Sequence, residues 1–202
     1  MAIGHAIGMP ENKSERDAIA YFQTRLPDNF FVFHSLELPN NWGLPYEYDI
    51  VVVGEYAVYM VEVKGYQGLI KGNAQEWELE SGAIYKSPIP LANKKAKVLG
   101  SLFERYSSLL SEVWVQPLIA LSDNKARVRI NDPQADKVLN LEEAINFMLD
   151  PRQLPVRSTK LNDRMLDLAA GVIFERFQPL RRQHEIGDYR ILDTVGKNNL
   201  YT

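Results

Sequence analysis

The chain has 202 residues with a formal charge of −3; 46% of it is hydrophobic and 24% charged, a length and balance that suit one globular domain with a small appendage. It contains no cysteine, which excludes disulfides, thiolate metal clusters and thiol nucleophiles, and points to a cytoplasmic protein. The apolar runs are too short for a membrane span, no membrane partner is expected, and the slightly acidic charge decides neither for nor against nucleic acid: a general DNA-coating protein is usually basic, whereas a local site with a divalent metal need not be.

In chain order, "MAIGHAIGMP" reads as a loose terminus. "NKSERDAIAYFQTRL" has helical periodicity, with Ser14 as the expected N-cap and Asp17 three residues later. "NFFVFHSLEL" reads as a strand and "PNNWGLP" as a turn-rich loop, in which Trp42 is placed to pack or to stack on a base. "YEYDIVVVGEYAVYMVEVKG" is a hairpin turning at Gly54-Glu55, and short strands with glycine turns follow as far as Pro88. A helix runs from Leu91 to about Ser111, with Ala92, Ala96, Leu99, Phe103, Tyr106 and Leu110 on one stripe. Further strands are expected at "VWVQPLIALS" and "ARVRI", and helices at Leu141–Leu149 and about Leu161–Phe177. Pro117 predicts that its strand is at an edge or bulged. The order implies an α/β fold, a mixed sheet flanked by helices.

Charged residues inside the hairpin need a reason. Residues two apart on a strand share a face, so Glu62 and Lys64 point one way and Val61 and Val63 the other. Asp49 reaches the same face from the neighbouring strand, giving two carboxylates and an ammonium at one point on the sheet edge. Close carboxylates need a positive partner: Lys64, or a hard divalent cation such as Mg2+ or Mn2+. Glu15 lies on the apolar stripe of the first helix with Ala18, Ile19 and Phe22, either as a first-turn acid favouring the helix dipole or as a third acid of the site. His5, His34 and His184 share no metal-ligand spacing, and His34 reads as a core or edge histidine. The basic stretches "LPVRSTK" and "QPLRRQ" read as solvated.

The set "ERDAIAYF", "YEYDIVVVG", "VYMVEVKGYQGLIKG", Trp77 and "SPIPLANKKAKVLGSLF" resembles the nuclease-related domain family, NERD, within the wider PD-(D/E)xK nuclease superfamily. The resemblance implies a nuclease-like mixed β-sheet and metal-dependent DNA cleavage with Mg2+ or Mn2+. It implies that Asp49, Glu62 and the carbonyl of Val63 hold the metal, that Lys64 positions the attacking water and that Glu15 supports the site. Gly65 and Gly68 match glycines after the motif, and Trp77 matches a packing tryptophan. Relatives carry a glutamine near Asn93; here Asn93 is followed by Lys94, Lys95 and Lys97. Asn93, Lys94 and Lys97 are the expected contacts to a phosphate, with simple solvation of the helix end as the alternative.

After residue 180 the pattern changes. "YRILDTVGKNN" resembles the first strand and turn of a protein kinase, with Tyr189 to Val195 as the strand. The expected organisation is a nuclease-related domain over 1–180 and, over 181–202, a linker and the start of a kinase domain. That order resembles proteins of bacterial phage-defence systems of the BREX and phage-growth-limitation type, so DNA and other defence proteins are the expected partners. The competing readings are a module without turnover, which binds DNA or a partner and regulates an attached kinase, and an oligomerisation scaffold.

Overall fold

The computed structural model describes residues 1–40, 44–156 and 158–180, and the backbone alone of 185–186 and 189–190. Strand β1 (Ile3–Ala6) precedes helix α1 (Lys13–Arg25). The strands β2 (Phe31–Leu38), β3 (Tyr46–Val53) and β4 (Val58–Lys64) follow. Then come β5 (Leu69–Asn73), β6 (Glu76–Leu79), β7 (Ile84–Lys86) and α2 (Ile89–Tyr106). The chain continues through β8 (Val115–Leu121), β9 (Arg127–Asn131), β10 (Val138–Asn140), α3 (Leu141–Leu149) and α4 (Asp163–Arg176). The short strands β11 (Gln178–Pro179), β12 (Glu185–Ile186) and β13 (Tyr189–Arg190) come last.

The main sheet is mixed, in the order β1-β2-β3-β4-β8-β10, with β11 also on β2. β2, β3 and β4 are antiparallel neighbours, whereas β4-β8, β8-β10 and β1-β2 are parallel. Side chains on the two faces of the sheet feed two apolar cores. One holds Val58 and Met60 of β4 against α2 and α4; the other holds Tyr59, Val61 and Val63 against α1 and α3. The expected mixed sheet flanked by helices is therefore present. A smaller sheet, β7-β6-β5-β9, continues the central strands: β5 pairs parallel with β9 just as β4 pairs with β8. Among the described residues no helix is long and apolar enough to cross a membrane.

Several local expectations are corrected. The N-terminus is not loose: Ile3–Ala6 pair with Phe31–His34, and Ala2 is buried. The cap of α1 is Asn12, not Ser14, because the Asn12 side chain accepts the Glu15 N–H at 3.0 Å. Pro117 stands in an interior strand, but β10 pairs only with Ile119–Leu121, so the sheet is open beside Pro117 on that side. α2 ends at Tyr106, and Leu110 belongs to a separate 3-10 turn over Ser108–Leu110. Trp77 is fully buried, as its packing role requires, and His34 is buried in β2. Trp42, His184 and all of "ILDTVGKNN" lie outside the described residues; Tyr189–Arg190 pairs antiparallel with Glu185–Ile186.

Candidate functional site

The site begins with a split in the sheet. The β3–β4 ladder ends at Ile50 opposite Val61. Beyond that pair β3 continues along β2 as far as Tyr46, while β4 continues along β8 to Lys64. The carboxylates therefore lie where two central strands part, not at an outer edge of the sheet. The N–H of Val63 would be unpaired there, and Asp49 Oδ2 accepts it at 2.7 Å.

A kink in β2 and β3 turns Asp49 to this job. Pairing runs on either side of Ser35 and Asp49, at His34 with Ile50 and at Leu36 with Tyr48, but skips that one position. Ser35 has φ of 58°, the left-handed region that a residue with a Cβ rarely enters. Strict alternation would send Leu36 to the face of Val32 and Tyr48 to the face of Ile50. Instead Leu36 and Tyr48 share the α2-side core with Phe33 and Val51. The side-chain phase of both strands thus reverses at Ser35 and Asp49. At the same point the outer neighbour of β2 changes from β1 to β11.

Glu62 continues the β4 alternation and faces α2. Its Oε1 accepts the ammonium of Lys64 at 2.8 Å and its Oε2 that of Lys95, from α2, at 2.7 Å. Lys95 is held in turn by Tyr48: the phenol donates to the Lys95 carbonyl at 3.0 Å, and the ammonium lies 5.9 Å from the ring centre. Asp49 makes no ion pair among the described residues.

The electrostatics follow from this asymmetry. Burial, reinforced by the charge of Glu62, pushes the Asp49 carboxyl up to about 7, against the pull of Lys95, the Val63 N–H and Lys64. Burial would also raise Glu62, but the two ammonium groups outweigh it and hold Glu62 below the usual range. Burial would lower Lys64; Glu62 reverses that and raises it.

Glu15 lies on α1, in the opposite layer from α2, where the charge of Lys64 still acts on it. It is buried, and both its oxygens serve the start of α1: Oε1 accepts from Asn12 Nδ2 and Oε2 from the Glu11 N–H, each at 2.7 Å. Burial raises its carboxyl. Gly65 lets this helix start approach the motif, since a Cβ there would overlap the Ser14 hydroxyl. Gly68 has φ of 69°, a turn that glycine makes without strain.

The three expected phosphate contacts are divided between two flanks of α2. Lys94 sits over the Tyr46 ring at 5.4 Å, beside β3. Asn93 donates to Gln134 Oε1 at 2.7 Å, and Asn93 and Lys97 both line a cavity of about 930 Å³ between α2 and β8. Lys95, between those flanks, is the lysine of α2 that meets Glu62. Its position was readable: it is three residues after Ala92 and four before Leu99, a charge on the apolar stripe.

A divalent cation suits the chemistry of this oxygen set. Asp49 is an acid with no direct ion pair among the described residues, beside a second acid, and both are hard donors. Among the described residues no three His, Cys, Asp or Glu side chains converge. Such an ion would therefore rest on the two carboxylates, the Val63 carbonyl and water.

Residues 10–122 match a family model described as the nuclease-related domain, NERD. The chain belongs to that family. A Streptomyces coelicolor protein named "Probable kinase PglW" is 24% identical over 188 residues, which cover 90% of this chain and 12% of the relative. The chain thus spans a small fraction of that relative's length. No solved structure matches it. The matched span of the nuclease-related domain takes in α1, the strand fork and the Lys95 turn of α2; α3, α4 and β11 lie beyond it.

Proposed function

We propose that this nuclease-related domain hydrolyses DNA phosphodiesters in the presence of Mg2+ or Mn2+. The observation that carries this reading is the charge asymmetry at the fork: Glu62 has two ammonium partners, while the adjacent Asp49 accepts a backbone N–H and makes no ion pair among the described residues. Asp49, Glu62 and the Val63 carbonyl would hold the ion. When bound, the ion supplies Lewis acidity at the phosphate and acidifies water.

The chain's own groups then have distinct tasks. The part-exposed ammonium of Lys64 orients the attacking water and offsets negative charge that builds on the phosphate in the transition state. Glu62 keeps Lys64 in place between turnovers. Lys94, beside β3, is placed to hold a neighbouring phosphate, and Glu15 fixes the helix start against Gly65 and so the end of β4. We take 1–180 as the nuclease-related domain and 181–202 as the approach to a kinase domain, in a cytoplasmic phage-defence protein; the similarity to a relative named as a kinase supports that order.

A second reading has its own observation. Both oxygens of Glu62 are engaged by lysines, an arrangement that also suits a module that binds DNA or a partner without turnover and regulates the attached kinase. Plasmid cleavage separates the two. Cleavage that needs Mg2+ or Mn2+ and is lost in Asp49→Ala and Lys64→Ala supports hydrolysis; DNA binding with no cleavage under any divalent ion supports the second reading.

A further inference from the structure

We propose that Lys95 is a positioning residue that competes with the divalent cation for Glu62, so that the ion-free site is held closed by a lysine of its own. This rests on the reading of Asp49 and Glu62 as the metal carboxylates.

The two lysines on Glu62 are not equivalent. The Lys64 side chain keeps 26% of its surface exposed, whereas that of Lys95 keeps 7%. Lys64 can leave Glu62 for water or a phosphate. The Lys95 ammonium bonds Glu62 Oε2, lies near the face of Tyr48 and acts on the charge of Asp49, and its backbone is tied to the Tyr48 hydroxyl. With Asp49 ionised, the set Asp49, Glu62, Lys64 and Lys95 balances two negative charges with two positive ones. An entering cation therefore meets no net attraction from the four together, and it must displace Lys95 or share Glu62 with it. Substrate-facing and interior roles are thus divided between Lys64 and Lys95.

Calorimetric titration of Mn2+ into the full chain tests this. Lys95→Gln and Lys95→Met remove the charge and should tighten Mn2+ binding by about tenfold or more. Lys95→Arg keeps the charge and should stay within about threefold of the wild type. Equal or weaker binding in folded neutral variants overturns the proposal. Should neither neutral variant fold, amine labelling of the wild type read by mass spectrometry decides. Lys95 is expected to be protected without Mn2+ and labelled several-fold faster with it; labelling unchanged at saturating Mn2+ overturns the competition. If neither the wild type nor any variant binds Mn2+, the competition falls together with the metal reading. If the affinity shifts appear without DNA cleavage, the competition stands and hydrolysis falls.

Discussion

Asp49 Oδ2 accepts the backbone N–H of Val63 at 2.7 Å, across the gap that opens where β3 leaves β4. An acid is therefore built into the backbone pairing of the sheet, and the same acid sits next to Glu62. Its carboxyl is raised to about 7 from 3.8. A group raised on folding contributes stability that is full below its unfolded value and is lost as pH rises through its folded value. Ion-free protein should therefore lose stability between about pH 4 and pH 7 on account of this residue. Urea unfolding in EDTA should show that decline in the wild type and a flatter profile in Asp49→Asn. Excess Mg2+ at alkaline pH should restore much of the loss.

Glu62 shows the opposite behaviour, because two lysines stabilise its ionised form. Glu62→Gln would leave Lys95 buried with its bonded carboxylate gone and only the adjacent Asp49 carboxyl near it. Breaking a buried pair by removing one partner costs about 3–5 kcal/mol, and chemical unfolding of the variant should show a loss of that order. A loss under about 1 kcal/mol, the range of surface pairs, would mean that Lys95 escapes to solvent.

Ser35 pays for the phase reversal that aims Asp49. Its left-handed backbone costs about 1–2 kcal/mol for a residue with a Cβ. Ser35→Gly should hold or raise the thermal midpoint, whereas Ser35→Val, β-branched, should lower stability by about 2 kcal/mol and reduce any cleavage. Equal stability of the two variants would show that the kink relaxes without cost.

Gly65 and Ser14 join the motif to the start of α1. Gly65→Ala should destabilise by about 1–3 kcal/mol through overpacking, and Ser14→Ala, which removes the overlapping hydroxyl, should recover part of that loss. Additive losses in the double variant would contradict the contact.

Much of this arrangement was legible in the residues. The period-two pattern of Tyr46–Lys64 gives the hairpin and sets Glu62 apart from Val61 and Val63, and the helix expected at Leu141–Leu149 is α3 as found. Part of what escaped depends on contacts distant in sequence. β1 is a short strand of Ile, Gly, His and Ala with little strand signal of its own, and it exists because β2 offers a free side. The reversal at Ser35 leaves no composition mark, since serine is ordinary in loops and strands alike. Lys95 was hidden among Lys94 and Lys97, three cations that look alike until the helix phase separates the one facing Glu62. The Asn12 cap escaped because Ser14, two residues later, is an equally good capping residue.

The most direct measurement is a crystal soaked in Mn2+ with data collected at the manganese absorption edge. The expected result is an anomalous peak between the Asp49 and Glu62 carboxylates, within coordination reach of the Val63 carbonyl, with Lys95 withdrawn from Glu62 Oε2. An empty fork at saturating Mn2+, with Glu62 still bridged to Lys64 and Lys95, would contradict it.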